Sequence, residues 1–145
     1  MRERVPRSVL DWLRAVPLFA KCSNRQLKTL AALGTPVPIE AGQEVTVAGK
    51  PGSEWFVVVS GRAICQVGGR EVACFGPGDF FGELSLIDGS ARSASVVAET
   101  PMQLLDFNRG EFRRVLDVAP TVARMMLNTM AARMRFTDAA IAGAA

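Results

Sequence analysis

Histidine is absent from all 145 residues. That removes the commonest general base, any Ser-His or Cys-His nucleophile pair, and any imidazole metal ligand. Cysteine is scarce, and Cys22, Cys65 and Cys74 form neither an even disulfide set nor a C-x-x-C pair. A reducing cytoplasm is the simplest compartment for such a chain, with the thiols as small apolar fillers. No apolar run approaches the roughly 20 residues of a membrane span. The start, Met1-Arg2-Glu3-Arg4-Val5-Pro6, lacks the apolar region of a signal peptide. No pair of carboxylates and no cysteine metal spacing takes over from histidine, so nothing supports an enzyme, a metal or a cofactor. Net charge is slight at +3, and the basic residues are scattered apart from Arg113-Arg114 and Arg133/Arg135. Nucleic acid binding needs a basic stripe or a recognition helix, and neither appears.

What is present is enough for one folded domain. Apolar residues make up 49% of the chain, with no low-complexity tract. Residues 8–15 carry apolar positions at helical spacing, and Ser23-x-x-Gln26 reads as a capping box ahead of Leu27, Leu30 and Leu33. From Pro36 to Phe107 the pattern changes to short β-rich runs broken by Gly and Pro. These are Val37–Ile39, Glu44–Val47, Trp55–Ser60, Ala63–Val67, Val72–Phe75, Ala94–Glu99 and Leu104–Phe107. Their even punctuation suggests a sandwich or jelly-roll-like barrel. Helix returns after Asn108, capped by Glu111, with Phe112, Val115 and Leu116 on its buried face. Pro120 fits the first turn of a last helix running past Phe136.

Phe80-Phe81-Gly82-Glu83-Leu84-Ser85-Leu86-Ile87, followed by Arg92-Ser93-Ala94, is the most informative stretch. Glycine at 82 permits close backbone approach and frees N–H groups at the start of a short helical turn. Such a turn favours an anion, and Arg92 adds a charge-assisted bond to a phosphate oxygen. Glu83 would repel that anion but can accept a bond from a sugar hydroxyl. A phosphate and a ribose hydroxyl held close together describe a nucleotide, and a cyclic one leaves no tail to accommodate. Read singly, the same residues have plainer roles: a turn glycine, core positions at Leu84 and Leu86, a local cap at Ser85. Glu83 and Arg92 could also pair as a surface salt bridge.

As a set, these residues resemble the phosphate-binding cassette of cyclic-nucleotide-binding domains, found in catabolite-activator-type bacterial regulators, kinase regulatory subunits and gated channels. The family pattern is Phe-Gly-Glu-Leu-small-Leu, a short loop, then Arg-small-Ala, matched here by 81–86 and 92–94. Phe75-Gly76-Pro77-Gly78-Asp79-Phe80 looks like the family's turn into the cassette. The resemblance implies an α+β, mainly β fold: an eight-stranded antiparallel β-roll, jelly-roll-like, with N-terminal helices and C-terminal B and C helices. It places a helical segment at 1–35, the roll at 36–107 with the cassette at 80–94, and the B and C helices at 108–145, all within one domain. A cupin enzyme shares the jelly roll, but metal-dependent cupins use histidine ligands.

By the same resemblance Glu83 takes the ribose 2′-hydroxyl and Arg92 the exocyclic phosphate oxygens. The N–H groups of Gly82, Glu83, Leu84, Ser85 and Ala94, with the Ser93 hydroxyl, complete the cradle. Cys65 and Val72 match positions that pack the base. A threonine after the cassette arginine is associated with cGMP in this family; Ser93 stands there instead, which favours cAMP over cGMP. In the last helix, Thr137 matches a base-contacting threonine of the regulators, whereas Arg133 matches an arginine that lids the base in bacterial channel domains. Leu127, Met130, Met134, Thr137 and Ile141 alternate spacings of 3 and 4. That stripe suits either a homodimer or one helix packing on its own roll.

The expectation is therefore a cytoplasmic sensor that binds cyclic nucleotide without catalysis or membrane insertion and presents a changed helical surface to an unidentified protein effector. Two alternatives stay open: a vestigial interaction module without ligand, or an effector domain excised from a DNA-binding regulator. The initial Met and an unstructured Ala/Gly end favour a free-standing protein.

Overall fold

The structure is a computed structural model that describes residues 7–144, with side chains described for 9–136. Two short helices, α1 (Arg7–Ala15) and α2 (Asn24–Leu33), lie either side of a single 3-10 turn at Pro17–Phe19. The α2 start carries the full capping box: Gln26 N–H donates to Ser23 Oγ at 3.2 Å, and Ser23 N–H to Gln26 Oε1 at 2.8 Å. Eight strands follow: β1 (Thr35–Ile39), β2 (Glu44–Thr46), β3 (Glu54–Ser60), β4 (Ala63–Val67), β5 (Arg70–Phe75), β6 (Phe80–Phe81), β7 (Ser95–Ala98) and β8 (Met102–Asn108). A one-and-a-half-turn helix, α3 (Glu83–Asp88), interrupts them between β6 and β7. They form two four-stranded sheets, ordered β1-β8-β3-β6 and β2-β7-β4-β5, with every pairing antiparallel. Strand β6 escaped the sequence reading, because two residues are too few for alternation to show.

Alternation along β3 and β8 sorts the core into two layers. Phe56, Val58 and Leu104 point between the sheets, where they meet Phe75, Phe81, Cys65 and Val96. Trp55, Val57, Leu105 and Phe107 point the other way, onto the helices. Trp55 is fully buried there, its ring 4.9 Å from Phe107 and 5.2 Å from Phe112. Phe112 belongs to α4 (Arg109–Val118), which opens with the expected box: Glu111 N–H donates to Asn108 Oδ1 and Asn108 N–H to Glu111 Oε1, both at 2.8 Å.

Helix α5 (Pro120–Ala144) anchors through Val122 and Met126, both buried in the helix-side core. The Ala/Gly-rich end, expected to lack structure, continues this helix, as the helix propensity of alanine favours. The stripe, open in the sequence to either a homodimer or packing on its own roll, turns largely outward. Leu127 and Met134 are 63% and 66% exposed, and of the stripe's described residues only Met130 packs on the core. The side chains of Thr137 and Ile141 lie outside the described residues. Cys22 is half-buried and Cys65 buried, but Cys74 is exposed, so it is no core filler; it lies on β5, whose residues before Phe75 are all exposed.

Candidate functional site

The approach to the cassette is tied down before the cassette begins. In the 76–79 turn, Gly76 N–H donates to Asp79 Oδ2 and Asp79 N–H to the Gly76 carbonyl. Val58 N–H then donates to the Asp79 carbonyl and Gly78 N–H to the Val58 carbonyl, docking the turn on β3. After β6 the chain reverses at Gly82, whose φ of +95° is open to glycine and strained for other residues. A Cβ there would also lie 2.8 Å from the Glu54 carbonyl oxygen and 2.9 Å from Arg92 Nη1. Gly82 therefore serves both conformation and space. It also leaves the first turn of α3 without a side-chain cap.

The returning loop is held as firmly. Arg92 N–H donates to the Lys50 carbonyl at 2.8 Å, and Gly49 N–H to the Arg92 carbonyl at 2.9 Å. Thr46 Oγ1 donates to the Ala94 carbonyl at 3.1 Å, and Ala48 N–H to Ser95 Oγ at 2.9 Å. The Arg92 guanidinium forks across two carbonyls, Gly82 through Nη1 and Glu54 through Nη2, each at 2.7 Å. It does not pair with Glu83, so the surface salt bridge of the plainer reading is not formed.

Glu83 instead is 3% exposed and pairs with Arg133 of α5, Nη1 to Oε1 at 3.2 Å. Arg133 Nη2 also donates to the Phe80 carbonyl at 2.7 Å, and its guanidinium lies over the rings of Phe80 and Phe75 at 4.7 and 5.2 Å. The other Glu83 oxygen, Oε2, is buried without a hydrogen-bond partner among the described residues. Burial pushes the Glu83 carboxyl above its ordinary value, opposed by its own N–H and by the charges of Arg133 and Arg92. A buried acceptor oxygen left over in this way is costly, and a hydroxyl donor would satisfy it.

These residues surround a cavity of about 650 Å³. Gly82, Glu83, Leu84, Ser85, Arg92, Ser93 and Ala94 line its cassette side, and Cys65, Val67, Val72, Ala73 and Phe75 the side of the β4–β5 hairpin. Thr129, Ala132, Arg133 and Phe136 face it from α5. Leu84, expected in the core beside Leu86, is 44% exposed at the cavity instead; Leu86 alone turns inward, since α3 is too short to bury both faces. Val72 is half exposed, whereas Cys65 is buried, and burial pushes its thiol up against the opposing charge of Arg133. The Thr137 side chain lies outside the described residues.

Sequence reasoning missed Thr46, Thr129, Ala132 and Phe136 as lining residues. It also found no carboxylate pair, yet Glu54 and Asp106 share one face of the paired strands, and burial, followed by the nearby Glu54, pushes the Asp106 carboxyl up to about 7. They lie on adjacent antiparallel strands, so only the register brings them together. No local spacing could have shown it.

Known proteins share this architecture. The sequence model of the family "Cyclic nucleotide-binding domain" matches residues 36–118, more than half the chain. A cyclic nucleotide-gated potassium channel of Mesorhizobium japonicum is 33% identical over 123 residues, covering 83% of this chain and 34% of the channel. The chain thus spans about a third of the length of the curated relatives it matches. Among solved structures, the N-terminal domain of a transcriptional regulator from Streptomyces coelicolor A3(2) is 36% identical with a TM-score of 0.66, covering 90% of this chain and 94% of that one. The Thermus thermophilus catabolite activator protein is 29% identical with a TM-score of 0.78, over 86% of this chain and 61% of its own.

Proposed function

Because the chain belongs to the cyclic nucleotide-binding domain family, we propose that it is a cAMP sensor using the cavity beneath α5. The observation that carries this reading is Glu83: buried, lining the cavity, with one oxygen paired to Arg133 and the other unpartnered among the described residues. In the proposal that second oxygen accepts the ribose 2′-hydroxyl. The cyclic phosphate lies against Arg92, the Ser93 hydroxyl, the Ala94 N–H and the N–H groups of Gly82 to Ser85. The base stacks in the apolar half of the cavity, against Cys65 and Val72, with Arg133 over it. Thr137 is the alternative base contact. Serine rather than threonine at 93 favours adenine over guanine.

The reading assigns the whole chain to one domain and no catalytic step to it. Ligand binds better to the state with α5 drawn over the cavity, so it shifts the population of α4 and α5 positions. The cytoplasmic output is that altered helical surface, offered to a protein effector or to a second copy through the outward face carrying Leu127 and Met134. The match to a regulator's N-terminal domain in Streptomyces coelicolor keeps the excised effector domain as a second reading.

Calorimetric titration with cAMP and then cGMP tests the ligand. Saturable one-to-one binding with cGMP weaker is expected, and heat from neither in folded, nucleotide-free protein would favour a vestigial module. Arg92→Ala should weaken cAMP by about 2–3 kcal/mol, roughly 30- to 150-fold. Unchanged affinity in that variant would remove the cassette from the site.

A further inference from the structure

Arg92 carries the proposed phosphate contact, yet its side chain is placed from outside the cavity, by the loop between β2 and β3. Every second residue from 50 to 54 meets it. The Lys50 carbonyl accepts the Arg92 N–H at 2.8 Å, and the Glu54 carbonyl accepts from Nη2 at 2.7 Å. Between them stands Gly52. A Cβ at that position would fall upon Arg92 Nε and lie 2.5 Å from Cζ and 2.7 Å from Cδ. The arginine side chain thus fills the space where a side chain of residue 52 would begin. Gly52 itself does not line the cavity.

The backbone at 52 does not call for glycine. Positive φ occurs at Gly49 and Gly82 but not at Gly52. The demand is one of space alone, and Arg92 makes it. The loop is braced on both sides of residue 52. Main-chain bonds at Gly49 and Lys50 tie it to Arg92, and Arg109 at the head of α4 donates to the Gly52 carbonyl at 3.5 Å. Arg109 also reaches the Leu86 carbonyl of α3 at 3.4 Å. An added methyl therefore displaces the flexible arginine side chain before it displaces the loop.

We propose that Gly52 is a positioning residue for Arg92, the absence of its side chain setting the plane in which the guanidinium meets a cyclic phosphate. The inference rests on the cyclic-nucleotide reading above. A guanidinium holds all its N–H groups in one rigid plane. The fork over the Gly82 and Glu54 carbonyls engages both terminal nitrogens, so it fixes where the remaining N–H groups point. That fork needs the Nε edge to lie against Gly52. A methyl at 52 turns the plane, so the charge stays in the site while the directed bonds are lost. The base half of the cavity, on the β4–β5 hairpin and α5, is left as it was.

The test is calorimetric titration of the intact chain, its Gly52→Ala and Arg92→Ala variants and the double variant, with cAMP and with cGMP. Both nucleotides carry the same phosphate, so the base does not enter. Gly52→Ala should weaken both by a similar factor, about five- to thirtyfold, with native circular dichroism. In the Arg92→Ala background the same methyl should cost less than about twofold, since nothing remains for it to displace. A merely structural glycine would lower affinity equally in both backgrounds, and that result overturns the proposal. If Gly52→Ala alone does not fold, the double variant should, because the clash is gone; its failure to fold also overturns the proposal. Absence of binding of either nucleotide by the wild type overturns the nucleotide reading and this inference with it. Wild-type binding that Gly52→Ala leaves unchanged overturns only the role of Gly52.

Discussion

Residues 80–94 and the α5 residues face one cavity but are held in different ways. The cassette is fixed largely by main-chain bonds: those of Gly49 and Arg92 clamp the loop, and Arg92 itself grips two carbonyls. Helix α5 is anchored well before it reaches the cavity, at Val122 and Met126. Over the cavity it is held through Arg133, while Ala132 is exposed and Phe136 is 71% exposed. Elements with few buried contacts open at low free-energy cost, and elements with many do not. In the proposed reading the cradle waits preformed and the helix moves. A sensor needs both, because a ligand can shift only what is free to shift.

The largest effect should come from breaking the fixed half. Gly82→Ala forces a side chain into a left-handed conformation and into the Glu54 carbonyl and the Arg92 guanidinium. Backbone strain alone is on the order of 1–3 kcal/mol, and displacement of Arg92 adds to it. Loss of cAMP affinity by about a hundredfold or more is expected, in a protein whose circular dichroism stays native, because the added Cβ meets the Glu54 carbonyl and Arg92 and no core side chain. Affinity near the wild type would show a cradle as pliable as the helix and erase the contrast.

Much of the fold and of the candidate site was legible in the sequence, and the reason is chain distance. The cassette residues are neighbours along the chain, so one short stretch carried the family resemblance, and both capping boxes span three residues, so their spacing exposed them. Strands were legible through their Gly and Pro punctuation, except β6, which is shorter than any alternation. What escaped depends on register and helix rotation. Glu83 and Arg133 are 50 residues apart, and Asp106 shares a face with Glu54 only because β3 and β8 pair as they do. Leu84 and Cys74 failed for a related reason: an apolar side chain on a short helix or an outer strand has no partner that its own sequence can announce.

An intermediate effect belongs to Arg133→Ala, which strikes the half that the proposal sets in motion. Its ion pair joins an arginine about a third exposed to a carboxylate that is almost wholly buried, so its loss is felt on the Glu83 side. The two ring faces add roughly 0.5–1 kcal/mol each, and Glu83 is left buried with less opposing charge, which raises its pKa further. Affinity should drop about five- to twentyfold, carried by faster dissociation in stopped-flow measurements, since a lid retains ligand and does not recruit it. A loss carried by the association rate would make Arg133 part of the cradle instead.

The smallest effect should come from the outward face of the same helix. Leu127 lies one turn from Met130, yet it points to solvent and lines no part of the cavity. Leu127→Glu should therefore change cAMP affinity less than about twofold, while sedimentation shows whether it dissolves an α5-mediated dimer. If affinity instead falls tenfold together with the dimer, a second copy helps to close the cavity. The contrast would then lie between a cradle complete in one chain and a lid completed by two.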